Sequence, residues 1–164
     1  MRSPSVLWSN GQMLADDDAD GDDRTSSPSA RSSTRRGSGE VDLVAPGLLN
    51  CRVTGYVRLE HVEQIIFTAN EQIRKGYRPH LFIDGDDVHG YDTEVRKVFQ
   101  TWATRNRAQI VGVWVLFRSP LVKMGLSIAS ALTGGAIRGF DDANEFDKAL
   151  AEATRKAREG GLRR

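Results

Sequence analysis

The sequence predicts an α/β domain built on a mixed, mostly parallel sheet with helices on its faces. Three observations carry this reading. From Val41 onward, strand-like runs alternate with single helix-like stretches in the order β-β-α-β-α-β-α-β-α. The run Ile110–Phe117 (IVGVWVLF) is β-branched, aromatic and almost uninterrupted, which suits a central strand covered on both sides. The length of 164 residues allows one domain with a tail and leaves little room for a second.

Each element has its own signal. Val41–Val44 and Leu48–Val53 read as a hairpin turning at Ala45-Pro46-Gly47. Leu59, Val62, Ile65, Ile66, Ala69 and Ile73 recur at helical spacing, and Gly76 ends that helix. His80–Ile83, just after Pro79, is a short apolar run typical of a buried strand. Val95, Val98, Phe99 and Trp102 mark the inner face of a second helix, from about Asp92 to Arg107. Ser119-Pro120 offers an N-cap and a first-turn proline for a third helix, Leu121–Leu132, which Thr133-Gly134-Gly135 stops. Ala136–Phe140 reads as a short strand. Asp142 with Glu145 resembles a capping box opening the last helix, with Phe146, Ala149, Leu150 and Ala153 inward and Arg155, Lys156 and Arg158 favourable at its carboxyl end. Trp102, Trp114 and Phe117 fall on apolar faces and are expected in the core.

The first forty residues differ in kind. They hold nine of the twelve serines, the acidic run Asp16–Asp23 and the basic cluster Arg31–Arg36, with few and aperiodic apolar residues. Such a segment cannot bury enough surface to offset the entropy of ordering it, so residues 1–40 are expected to be a disordered low-complexity tail. Residues 41–160 are then the domain, and 161–164 a short disordered end. Asp16, Asp18, Asp20 and Gly21 copy half of a calcium loop, but Ser27 stands where the bidentate Glu belongs, and a solvated linker explains them better.

Composition narrows the function classes. There are 23 Lys and Arg against 22 Asp and Glu, a net charge of +1, without the basic excess of a sequence-independent nucleic-acid binder. No apolar run reaches the ~20 residues of a membrane span, and residues 1–14 lack the apolar stretch of a secretory signal. Cys51 is the single cysteine, so no internal disulfide forms and a cytoplasmic setting is the expectation. Cys51 lies in an expected strand and reads as a small buried hydrophobe. His61, His80 and His89 are scattered and have no cysteine partners, so no metal site and no cofactor is expected.

The most distinctive text is Asp84–Val95. An apolar strand ends in Asp84, Val88 falls at the following turn, and Asp92-Thr93-Glu94 opens the second helix. With the element order, Trp114, the Ser119-Pro120 helix start and Phe140-Asp141-Asp142, this resembles the STAS fold of bacterial anti-sigma-factor antagonists and sulfate-transporter tail domains, over roughly the last 120 residues. The resemblance implies a non-catalytic regulatory domain that binds a protein partner through Asp84, Asp87, His89, Tyr91, Asp92, Thr93 and Glu94. In antagonists of that family a serine at this helix start is phosphorylated. Here that position is Glu94, and Thr93 is the one neighbouring hydroxyl, which makes it the candidate for phosphorylation.

Two other readings stand beside this one. Leu121–Leu132 is apolar nearly all round, with Lys123, Ser127 and Ser130 as its polar side chains. Such a helix borders a core or a surface that something else covers. Leu121, Met124 and Ile128 are therefore candidates for a lipid, apolar-ligand or partner surface. The small residues Gly125, Ser127, Ala129 and Ala131 would allow close helix approach, as in a homodimer. Finally, Asp84-Gly85-Asp86-Asp87-Val88 fits the motif of haloacid-dehalogenase-type phosphatases, where the first Asp is a nucleophile and the second an acid/base beside Mg²⁺. Ser119, Lys123 and Asp141-Asp142 would be its supporting pieces, but a hairpin and a helix precede the motif strand, and an Asp- and Gly-rich turn explains the same letters.

Overall fold

The second strand of the chain is long enough to serve two parallel neighbours in turn besides its hairpin partner, and the sheet is organised around it. In the computed structural model, residues 37–160 are described, Leu121 for its backbone only. The expected tail (apart from its last four residues), the half calcium loop and the expected disordered end lie outside them. β1 (Ser38–Ala45) and β2 (Leu48–Val57) form the expected hairpin, with Val41 opposite Cys51. Gly47 turns it at φ +80°, where a side chain would be strained. The first half of β2 pairs in parallel with β3 (His80–Asp84), Leu48 opposite His80 and Arg52 opposite Asp84. Its last residues pair in parallel with β4 (Val88–Tyr91), Gly55 opposite Val88 and Val57 opposite Tyr91. β5 (Gly112–Leu116) and β6 (Ile137–Phe140) continue the sheet in the order β1-β2-β3-β5-β6, parallel from β2 onward.

β4 is a correction to the expected order, which held a loop between Asp84 and the second helix. It is four residues long, contains Gly90, and follows an Asp-Gly-Asp-Asp turn, so no local pattern announces it. Its pairing with β2 supplies the hydrogen bonds that its own sequence does not advertise. β1 likewise starts at Ser38, inside the expected tail, because β2 extends to Val57 and pairs Ser38 with Thr54. Ile110 and Phe117 flank β5 rather than belonging to it, and a 3₁₀ turn at Arg107–Gln109 precedes it; both side chains are buried.

Three helices cover one face of the sheet: α1 (Leu59–Arg74), α2 (Thr93–Arg105) and α3 (Pro120–Leu132). Val62, Ile65 and Ala69 of α1, Trp102 and Ala103 of α2 and Ala129 of α3 pack there with Leu49, Cys51, Leu81, Ile83 and Val113 of the strands. The Trp102 indole N–H donates to the Asn70 side chain at 2.9 Å, tying α2 to α1. Gln72 of α1 is buried, and its side-chain oxygen accepts from the Gly47 amide at 3.1 Å, fixing the helix end against the hairpin turn. Among the described residues, α4 (Ala143–Arg158) alone covers the opposite face. Asp142 caps it as expected, accepting from the amides of Asn144 at 2.7 Å and Glu145 at 3.4 Å. Ser119 makes no such bond: its hydroxyl leaves α3 uncapped, and the start rests on Pro120 in the first turn.

The α4 side of the sheet is aromatic. Phe82, Trp114, Phe140 and Phe146 meet edge to face or tilted, with ring centroids 5.1 to 5.7 Å apart. Trp114 is only half-buried there, while Trp102 and Phe117 are buried as expected. His80 joins the cluster, 4.4 Å from the Trp114 ring and 4.6 Å from Phe82. Its Nε2 is buried without a hydrogen-bond partner. Burial, assisted by the Lys156 ammonium, pushes its pKa down from 6.5 to about 4.

Two predictions come from this packing. His80 stays neutral in the fold and is protonated more readily in the unfolded chain. Its contribution to stability is therefore full above pH 6.5 and is lost as pH falls toward 4, by up to about 3 kcal/mol. In urea unfolding, His80→Leu should show a flatter loss between those two pH values than the wild type; parallel pH profiles would contradict it. Asp142→Ala should lower stability by about 1 kcal/mol in the same assay through loss of the α4 cap.

Candidate functional site

Alternation along the strands turns Val53 and Val57 of β2, Ile83 of β3, Val115 of β5 and Ile137 of β6 toward the three-helix side. These side chains are short or β-branched, and the helices above them do not fill the space that remains. A partly open cavity of about 140 Å³ lies between them. Val62 and Ile65 of α1, Val95 and Phe99 of α2, and Val122, Leu126 and Ala129 of α3 close it from above, and the lining is almost wholly apolar. An apolar cavity of about 150 Å³ stays dry and accepts benzene, so this one has room for one aromatic ring or a chain of about six carbons.

The mouth of the cavity runs past β4 and the start of α2. Tyr91, Arg96 and Gln100 line it with Gly125 of α3. A Cβ at position 125 would come 2.6 Å from the Tyr91 hydroxyl oxygen and 3.9 Å from Arg96 Cδ. Glycine is thus required there by close approach, not by its turn propensity.

α3 is apolar on two sides. Val122, Leu126 and Ala129 face the cavity, whereas Met124, Ile128 and Leu132, four residues apart, are 58 %, 45 % and 60 % exposed. Of the α3 residues expected at a ligand surface, Met124 and Ile128 belong to this outer stripe, and the Leu121 side chain lies outside those described. The sequence pointed to an apolar site at α3 but not to Val122 and Leu126, and it marked Gly125 and Ala129 only as small residues that permit close helix approach. Their spacing of three, one and three residues was the available signal.

The stretch Asp84–Glu94 divides into three sets of side chains. Asp84 pairs with Arg52 Nε at 3.6 Å, and its other oxygen accepts from the Asp86 amide at 3.2 Å. Asp86 pairs with Arg118 Nε at 2.6 Å. Val88 is buried and Tyr91 half-buried on the cavity side. Asp92 stands at the α2 N-cap without a capping bond; its carboxylate, close to the Tyr56 hydroxyl, raises the Tyr56 pKa. Asp87, His89, Thr93 and Glu94 are exposed, and their side chains have no partner among the described residues.

This arrangement does not favour phosphoryl transfer. Guanidinium groups engage Asp84 and Asp86, the two carboxylates which that chemistry needs free for attack and for a cation. Lys123 pairs with Asp141 at 3.5 Å and lines a separate polar cleft of about 450 Å³ with Ser127, Ser130 and Arg138. Cys51 is fully buried, and burial with the nearby Asp42 charge pushes its thiol up to about 12, as suits a packing residue.

No protein-family model and no curated protein matches the chain. Solved structures do. An uncharacterised protein of the DUF3478 family with a SpoIIAA-like fold, from Shewanella loihica PV-4, is 14% identical, with a TM-score of 0.51 over 70% of this chain and 93% of its own. An anti-sigma factor antagonist from Mycobacterium paratuberculosis is 12% identical, with a TM-score of 0.47 over 71% and 95%. The Bacillus cell fate determinant SpoIIAA in its phosphorylated form is 14% identical, with a TM-score of 0.45 over 68% and 99%. At these identities the likeness is one of fold, and the fold of residues 37–160 is SpoIIAA-like, the STAS-type architecture expected from the Asp84–Val95 text.

Proposed function

We propose that this domain is a non-catalytic binding module whose ligand is a small apolar molecule held between the sheet and α1–α3. The observation that carries the reading is the cavity of about 140 Å³ with its apolar lining. Apolar walls that no side chain fills forgo the packing contacts that a closed core would make. Ala129 lines the cavity, where a larger side chain would extend into the space. Retaining a void at that cost is the behaviour of a binding site.

Binding should therefore stabilise the domain. Thermal unfolding with 1-hexanol or indole should raise Tm by several degrees in the wild type. Ala129→Leu should itself raise Tm by a few degrees and abolish the response to either compound. Equal ligand-induced shifts in the wild type and Ala129→Leu, or none in the wild type, would refute the reading.

Partner docking is the second reading, favoured by the exposed and unpaired Asp87, His89, Thr93 and Glu94 where β4 runs into α2. This edge lies at the carboxyl end of a parallel strand, a common recognition position. Thr93 occupies the first turn of α2, where an added phosphate would meet the positive end of the helix. On this reading, a protein captured from the native cell by the wild type is lost with the double change Asp87→Lys, Glu94→Lys. Equal capture by both would exclude the edge.

A further inference from the structure

We propose that the cavity takes a monocarboxylic acid of about six to eight carbons, its chain among the valines and isoleucines and its carboxylate held at the mouth by Arg96 and Tyr91. This rests on the apolar-ligand reading and adds the chemistry of the head group.

Among the described residues Arg96 is the one arginine that is not exposed. Arg52, Arg74, Arg118 and Arg155 each pair with a carboxylate, and Arg78 and Arg107 donate to backbone carbonyls. Arg96 is half-buried and has no ion pair or hydrogen bond among the described residues. Among the described residues it is also the one charged residue that lines the cavity, and no Asp or Glu among them does. A guanidinium beside an apolar space, with no anion among the described residues to meet it, is free to take a bound anion.

A second donor stands beside it. The Tyr91 hydroxyl reaches the same glycine, Gly125, that the Arg96 stem passes, and it too has no hydrogen-bond partner among the described residues. The Tyr91 hydroxyl and the Arg96 stem therefore meet at one glycine beside an apolar space. Arg96 also lies in the first turns of α2 (Thr93–Arg105), where the helix dipole adds to the attraction for negative charge.

The donor set selects the head group. One guanidinium and one phenol match the two oxygens and single charge of a carboxylate. A phosphate monoester carries nearly two charges, and no second cation lines the cavity to meet it. The volume selects the tail, since a long acyl chain does not fit in about 140 Å³.

The test is calorimetric titration of the full chain with hexanoate and octanoate, each against the alcohol of equal length. The wild type should bind each acid at least tenfold more tightly than its alcohol. Arg96→Gln should erase that preference while leaving alcohol affinity within about twofold, which also reports that the variant is folded. Tyr91→Phe should weaken the acids several-fold and spare the alcohols. Acid and alcohol binding equally well to the wild type would overturn the carboxylate assignment and leave the cavity reading standing, as would an Arg96→Gln change that weakens both alike. Binding of neither class by the wild type would overturn both.

Discussion

The two faces of this sheet are packed with side chains of different size, and the cavity follows from that difference. Facing α4, Phe82, Trp114 and Phe140 stand on three neighbouring strands, and Phe146 closes over them, so one helix is enough to fill that side. Facing α1–α3, the same three strands present Ile83, Val115 and Ile137. Three helices span that side, and each is held at a distance set by its own contacts, such as Trp102 against Asn70. β-branched side chains are too short to reach across the gap that this leaves.

Position 125 shows how the opening is kept. Any side chain there would strike the Tyr91 hydroxyl and push α3 away from β4. Tyr91 in turn is placed by the parallel pairing of β4 with the end of β2, Val57 opposite Tyr91. The ten-residue length of β2 thus connects the central sheet to the mouth of the cavity, since a shorter strand would pair with β3 alone. The Asp84–Asp87 turn that carries the chain from β3 to β4 is pinned by Arg52 and Arg118 and by the Gly85 amide donating to the Leu116 carbonyl at 3.0 Å. The acidic text that resembles a reaction centre on paper serves in the fold as an anchored bend.

Much of the architecture was legible in the sequence because it depends on periodicity. Ile110–Phe117 announces a strand covered on both sides, and Val62, Ile65 and Ala69 announce the buried stripe of α1. β4 was not legible, because VHGY gains strand character only from β2 across the sheet. The cavity was not legible either. A void is set by the parallel register that lines up Ile83 with Val115, and by which stripe of α3 faces inward. A helix apolar nearly all round gives no phase to its own pattern, so Met124 and Ile128 were as plausible as Val122 and Leu126. Arg96 looked like one charge among many, and only its place in the lining of the cavity sets it apart.

The most direct test of the central claim, that the space under α3 receives a ligand, is methyl-resolved NMR during titration with benzene, whose ring current shifts nearby methyls strongly. The account predicts large shifts at Val53, Val57, Ile65, Val115 and Val122, with Met124, Ile128 and Leu132 unmoved. Shifts confined to the outer stripe of α3, or none at the cavity methyls up to saturating benzene, would contradict it.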